Sequence, residues 1–452
     1  MSDSAKYGSQ TVGEKGARIG GVLRVLVLGG YGFIGLEIVR ALLARGVAVI
    51  GLARSPELGR RLLPQAQWIG ADLAQLVTPQ RWALLIEGVD AIVNAAGALQ
   101  DGPRDRLNAV HHRAISACVA AAEAAGVRRF VQISAVGAAV DASTAFMRTK
   151  AQGDAAVRAS PLEWVILRPG LVVGRNAFGG TQLIRMLAAT PWIEALAYPD
   201  ATMQTVSIDD VVEATLLAMD GKVALRRTYD LVEDEPQTLR DVVRAFRRWQ
   251  GFQQPPASLI APRSAARLVS AIADAAGMLG WRSPLRTSAM RVIAENVLGD
   301  PAPWRAAGGG RLKTLAETLR DMPATAQERV YARASLALPV MVAALSAFWL
   351  ASGIIGAAQL DRAAALLPQL GAGAARAAVL AGAAADIAVG LALLVRRTAR
   401  RAAVAAAGLA TLYLALGTVL APQIWADPLG AYVKILPAIV LALVLALILE
   451  ER

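Results

Sequence analysis

Two hydrophobic periods alternate through the first part of the chain, and long apolar runs replace them later. Residues 22–28 form an apolar run broken only by Arg24 and too short to span a bilayer, ending in the turn GGYGFIG. After that turn Phe33, Ile34, Leu36, Ile38 and Val39 recur at helical spacing, which predicts strand, tight turn and helix. The alternation repeats, with residues 47–52, 68–71, 91–94, 130–133 and 165–167 reading as further strands. Residues 110–125 read as a helix closed by Gly126. Residues 238–249 read as an amphipathic helix with a Thr N-cap, burying Leu239, Val242, Val243 and Phe246. On its other face Arg244, Arg247 and Arg248 are either solvated or in contact with anionic lipid head groups. From about Thr181 to Met219 the pattern reads as helical, with Trp192 and Tyr198 as core aromatics, and residues 258–321 add helices. The expected fold is α/β, a doubly wound parallel sheet.

Beyond Arg333 four apolar segments stand out, at about 334–358, 374–395, 402–420 and 429–449. Each is long enough to cross about 30 Å of hydrocarbon, so an all-α four-helix transmembrane bundle is expected to follow the sheet. Arg396, Arg397, Arg400 and Arg401 fill the loop after the second segment, whereas Asp427 is the charge after the third. Arg329 and Arg333 precede the first. The positive-inside rule then places both termini and the first domain in the cytoplasm, with the chain multi-pass in the cytoplasmic (inner) membrane. Residues 1–20 are polar and lack a signal-peptide apolar stretch, so they read as a flexible tail.

Composition supports this division. Of 452 residues 55% are hydrophobic, and the mean hydropathy of +0.45 exceeds that of ordinary soluble domains. The net charge of +12 admits a nucleic-acid partner, but no zinc spacing, basic-aromatic platform or recognition helix accompanies it. No nucleic acid is therefore expected, and arginines flanking membrane spans explain the charge. The single Cys118 excludes an intrachain disulfide and reads as core. His111 and His112 are too few for a metal cluster and read as a polar helix face, so no metal is expected.

The candidate chemistry sits at strand ends. Gly29, Gly30, Gly32 and Gly35, with Tyr31, Phe33 and Ile34 between them, suit a backbone that approaches a pyrophosphate at a helix start. Arg54 stands where such folds choose between cofactors, and its guanidinium suits a 2′-phosphate, which favours NADP(H) over NAD(H). Its other reading is an ordinary exposed arginine. Asp72 and Leu73 are placed for an adenine-edge contact, and Ala95, Ala96 and Gly97 allow close approach of a cofactor. Ser134 is delivered to the carboxyl edge of the sheet, and Pro169, Gly170 and Leu171 follow a later strand as further candidates.

The ordered motifs GGYGFIG, Asp72-Leu73, NAAG, GVRRFVQISA, Lys150 and RPGLVVG resemble the short-chain dehydrogenase/reductase superfamily, a Rossmann-type fold. More narrowly, with TVSIDDVVEA, GDPAPW and PATAQER, they resemble atypical members similar to the nucleotide-binding accessory subunit of respiratory complex I. That resemblance implies a catalytic Tyr and Lys four residues apart, with a Ser from the preceding strand. Here Lys150 and Ser134 match, but Phe146 holds the tyrosine position and cannot donate a proton. Lys150 is still expected to bind the nicotinamide ribose. Residues from about 331 to 451, carrying FWLASGI, Asp386 before Gly390 and PQIWADPLGAYVKILP, resemble the DoxX-like family.

The expected domains are thus a tail at 1–20, a nucleotide-binding domain at 21–328 and a DoxX-like domain at 329–452. Asp386 and Lys434 are ionisable residues in apolar surroundings, expected to face the bundle interior together, or with Lys434 snorkelling to the outer interface. Two functions remain open: NADPH-dependent reduction of a small lipophilic carbonyl or similar acceptor arriving from membrane lipid, or an NADP(H)-binding sensor or scaffold without turnover. A third reading puts the activity in the bundle near Asp386.

Overall fold

The computed structural model describes residues 23–98, 100–101, 106–296, 298–428 and 430–449; the tail expected at 1–20 lies outside them, as does Leu429. The described residues group into two compact units interleaved in sequence. Among the described residues the first comprises those within 23–176, 203–236 and 298–318, and the second those within 177–202, 237–296 and 319–449.

In the first unit one parallel sheet is built from β1 (Arg24–Leu28), β2 (Ala48–Ala53), β3 (Gln67–Gly70), β4 (Ala91–Asn94), β5 (Arg129–Ile133), β6 (Glu163–Pro169) and a seventh strand, Arg227–Leu231. The order is β3, β2, β1, β4, β5, β6 and then the seventh, so the strand sequence reverses between β1 and β4. In α/β sheets ligands bind at the carboxyl ends of the strands flanking such a reversal. There Leu28 stands opposite both Leu52 and Asn94.

Helices cover both faces, which is why the strands read as continuous apolar runs. On one face Ile38, Val39 and Leu42 of α1 (Gly35–Ala44) pack with Val211 and Ala214 of a later helix, Ile208–Asp220. On the other, Ile115, Cys118 and Ala122 pack with Val157. Trp68 is held between Gly51 and Gly59, where a Cβ on either glycine would collide with its ring. The helix expected over 110–125 begins instead as a wide turn, Ala109–Arg113, in which Ala114 N reaches back to Ala109 O, and continues regularly over Ala114–Ala124. Such π-type turns are often found at functional sites.

Residues 181–219 are not helical throughout. A helix Gly180–Ala188 is followed by the strand Ile193–Leu196, paired in parallel with Ala257–Ile260, and then by Thr205–Ser207, paired with Leu171–Val173. Trp192, expected in the core, is exposed.

In the second unit the helix Leu239–Trp249 buries the expected apolar face, but Arg247 is also buried. Its guanidinium donates to Ala188 O at 2.8 Å, Thr190 O at 2.7 Å and Gln253 O at 2.5 Å, which removes it from the solvated face. Arg244 pairs with Glu194 at 2.9 Å. Among the described residues three helices, Ala326–Ala358, Ala372–Leu394 and Arg396–Leu420, are long and apolar enough to cross a membrane. The first, 33 residues long, starts well before the apolar segment behind a Thr325–Glu328 capping box. Within the fourth expected span the helix covers Ile435–Ile448, 14 residues. Trp349, Leu393, Ala403, Ala406 and Leu445 form the bundle core.

Candidate functional site

Backbone hydrogen bonds close the turn after β1. Gly29 N and Gly30 N both donate to Leu52 O, at 2.9 and 3.2 Å, and Gly32 N donates to Gly29 O at 2.8 Å. Gly29 has φ +72°, and a Cβ there would lie 2.8 Å from Ala96 Cα, so glycine meets both demands. A Cβ on Gly35 would collide with Gly29 O, which brings the start of α1 close under the turn. No side chain caps that helix at Ile34, so none competes with an anion for its first N–H groups. Tyr31, Phe33 and Ile34 are half-buried along the turn.

Arg54 is exposed one residue beyond β2. Asp72 follows β3, and its Oδ1 accepts from Ala74 N at 3.0 Å, so one carboxylate oxygen is committed to the local turn. Leu73 is core. Ala96 N donates to Asn94 Oδ1 at 3.1 Å, while Gly97 is exposed.

At the ends of β5 and the helix Ala145–Arg158 the catalytic candidates converge. Lys150 Nζ donates to Ile133 O at 2.8 Å, beside Ser134. A Cβ on Gly97 would lie 3.5 Å from both Lys150 Nζ and His111 Nε2, so these three residues share one edge of the site. Ser134 N donates to Leu167 O, and Val136 N to Pro169 O at 3.1 Å, which sets Pro169 beside the serine loop. Gly170 N is taken by Leu231 O and Leu171 N by Gln204 O, each at 3.0 Å.

Behind these groups lies a buried polar chain that sequence reasoning did not find. Ser134 Oγ donates to Asp154 Oδ2 at 2.7 Å, Gln132 Nε2 reaches Asp154 Oδ1 at 3.5 Å, and Asn94 Nδ2 donates to Gln132 Oε1 at 2.8 Å. Arg168 lies 3.5 Å from Asp154 Oδ2. Burial raises the Asp154 carboxyl pKa, against the Ser134 hydrogen bond and the Arg168 and Lys150 charges. Burial also pulls the Lys150 ammonium down to about 8, against the opposing charge of Asp154. The available signal was the spacing: Asp154 follows Lys150 by four residues on one helical face.

His111 was the second residue missed. It is buried rather than on a polar helix face, and the wide turn Ala109–Arg113 directs it inward. Ala98 N donates to its Nε2 at 3.1 Å, so the proton sits on Nδ1 and points to Thr149 Oγ1 at 2.9 Å. Burial, and then the Lys150 charge, hold its pKa well below the usual imidazole range. Its ring packs edge-on against Phe146 with centroids 5.5 Å apart.

Among the membrane-length helices, Asp386 is buried and receives Ser352 Oγ at 2.6 Å and Tyr413 Oη at 2.8 Å. The expected pairing with Lys434 is replaced by these two hydroxyls. Lys434 is exposed immediately before the helix Ile435–Ile448 rather than inside it.

The chain matches the NAD(P)H-binding family over residues 29–188 and the DoxX-like family over residues 346–443. It joins an NAD(P)H-binding domain to a DoxX-like domain. The first domain is similar to the ceramide reductase of Caulobacter vibrioides, 27% identical over 177 residues, covering 38% of this chain and 54% of that protein. It is also similar to the mitochondrial NADH dehydrogenase (ubiquinone) 1 alpha subcomplex subunit 9 of Arabidopsis thaliana, 24% identical over 255 residues, covering 52% of this chain and 62% of that protein. The chain thus spans little more than half the length of these relatives. Among solved structures, the Bordetella bronchiseptica enzyme WbmH in complex with NAD+ shares the fold, with a TM-score of 0.50, 21% identity and coverage of 69% of this chain and 99% of WbmH.

The residues of the NAD(P)H-binding domain fit such a cofactor. Gly29 and Gly35 let the turn close against Ala96 and the start of α1, where a Cβ on either would collide, and Gly97 leaves the approach to Lys150 open. The pyrophosphate would be held by the turn, and the nicotinamide end by Gly97, Lys150 and the segment 169–171.

Proposed function

We propose that the chain is a membrane-anchored, NADPH-dependent reductase of a lipophilic carbonyl compound. The observation that carries this reading is the buried Lys150, whose ammonium sits at the open edge by Gly97 with a pKa lowered to about 8. A proton donor works best when its pKa is near the operating pH, and Lys150 thereby offers the acid that Phe146 cannot supply. The glycine turn would hold the cofactor's pyrophosphate, and the nicotinamide end beside Gly97 and Lys150 would supply the hydride. Lys150 gives its proton to the substrate oxygen as the carbonyl carbon is reduced to an alcohol, and water returns the proton afterwards. Ser134, whose proton goes to Asp154, has an oxygen left to accept a hydrogen bond from the product hydroxyl.

Arg54 at the end of β2 supports NADP(H) over NAD(H), since no carboxylate stands there to receive a ribose 2′-hydroxyl. The apolar helices support a multi-pass position in the cytoplasmic membrane, with the arginine-rich loop at 396–401 on the cytoplasmic side. Similarity to a ceramide reductase supports a lipid-derived substrate. A specific observation favours the second reading, a cofactor-binding sensor without turnover: Phe146 stands at the tyrosine position, and the Ser134 proton is committed to Asp154. Deuterium transfer separates the two. Full-length protein incubated with 4-deuterated NADPH and a panel of long-chain ketones and aldehydes should yield deuterated alcohol; cofactor binding without any labelled product would establish the sensor.

A further inference from the structure

We propose that the helix Arg263–Met278 lies in the surface of the lipid bilayer, with its apolar face turned into the acyl-chain boundary. The proposal rests on the reading that the long helices cross a membrane. In an ordinary surface helix the apolar stripe is buried and the polar stripe is wet. Here the arrangement is reversed. Leu268 and Ile272 are 63% and 62% exposed, Met278 is 77% exposed, and Val269 and Leu279 are exposed as well. Ala265, Ala271 and Ala275 complete the same exposed arc, which Ser264 interrupts in the first turn. The buried side is made of Ser270, Ala273 and Gly277. Arg263 and Arg267 stand at the edge of the apolar arc, where their charges can meet lipid phosphates, and Asp274 is occupied by Arg286 at 3.0 Å.

The occupant of this face follows from where the helix is fixed. Just past its C-terminus, Leu279 O accepts from Arg396 N at 3.0 Å. Trp281 Nε1 donates to Leu394 O at 2.6 Å, and the Arg396 guanidinium lies over the Trp281 ring. Leu394 and Arg396 are the last and first residues of two membrane-length helices. The helix Arg263–Met278 is therefore tied to the level at which those helices leave the hydrocarbon. Residues preceding it are held at a matching place: the strand Ala257–Ile260 pairs with Ile193–Leu196, and the neighbouring Trp192 lines an apolar groove with Leu336, Val340 and Met341 of the first long helix. Trp192, Leu259 and Ile260 are themselves exposed, as interfacial anchors are. An apolar face of this size held at a membrane boundary is covered by lipid, because burying it there removes its apolar surface from water.

Single cysteines test this in the full-length protein, because the native Cys118 is buried. Leu268→Cys, Ile272→Cys, Leu84→Cys on the first unit and Leu412→Cys on a long helix would each carry an environment-sensitive fluorophore. The protein is reconstituted in vesicles of phosphatidylglycerol and phosphatidylethanolamine, with doxyl-labelled lipid or aqueous iodide as quencher. The expected result is blue-shifted emission at 268, 272 and 412, lost with doxyl lipid and spared by iodide, while 84 behaves oppositely. Iodide quenching at 268 and 272 with lipid quenching at 412 would overturn the proposal and leave the membrane reading intact. Protection of 268 and 272 from both quenchers would also overturn it, since a protein surface would then be the cover. Absence of lipid quenching at 412 would remove the membrane reading as well.

Discussion

Ser134 Oγ and Asp154 Oδ2 stand 2.7 Å apart, tying the end of β5 to the helix that carries Lys150. Since Asp154 acts on Lys150 by raising its pKa, the pair sets both the hydroxyl and the ammonium of the site. The acid form of Lys150 is the active one, so turnover should fall as pH rises through about 8. Asp154→Asn keeps an acceptor for Ser134 but removes the charge that favours the ammonium. The fall should then move to lower pH, as read from the pH profile of NADPH oxidation.

Restoring a phenol at position 146 tests whether the pocket is otherwise complete. Phe146→Tyr places a hydroxyl one helical turn before Lys150, in the setting where Phe146 packs on His111. A positioned acid contributes roughly 100-fold or more to such reactions. Carbonyl reduction should rise by about tenfold or more, less than the full factor because Lys150 already supplies a proton.

Arg54 decides between the two cofactors. Hydrogen bonds to charged groups are worth about 1.5–3 kcal/mol, so Arg54→Ala should weaken NADPH binding by roughly 10- to 100-fold and leave NADH unchanged. Paired titrations of the variant and the native protein with both nucleotides provide the measurement.

The glycine turn leaves no space for a methyl group. In Gly35→Ala the new Cβ meets Gly29 O, and the turn must open to admit it. Overpacking of this kind costs about 1–3 kcal/mol, and NADPH binding should be lost along with that stability. A thermal shift that NADPH fails to reverse would show both effects.

In the bundle, Asp386 is satisfied by two hydroxyls. Tyr413→Phe removes one donor and should lower unfolding stability in detergent by about 1 kcal/mol, the scale of hydrogen bonds between membrane helices. Asp386→Asn leaves one oxygen acceptor, so one hydroxyl must turn to accept from the new NH2, and a cost of about the same size is expected.

The sheet, the glycine turn and three of the apolar helices were legible because each rests on a local pattern: buried strands between helices, glycines at fixed offsets, long apolar runs. The strand Ile193–Leu196 was not. Its alternation is inverted by a buried Glu194, whose charge is answered by Arg244 fifty residues away in sequence, a pairing no local window contains. His111 escaped for a related reason, since a regular helix over 110–125 does not show the wide turn that swings it inward. Trp192, read as core but exposed, misleads in the other direction. An apolar stripe at helical spacing reads as core, and sequence alone does not tell a protein core from a lipid one.

Titration of the full-length protein in lipid nanodiscs with NADPH and NADH, followed by NADPH oxidation across lipophilic carbonyls and quinones, tests the reductase reading most directly. It predicts tighter binding of NADPH than of NADH, and oxidation that depends on a carbonyl acceptor and is lost in Lys150→Met. Tight binding with no oxidation by any acceptor would contradict it in favour of a sensor, and absence of binding would contradict both.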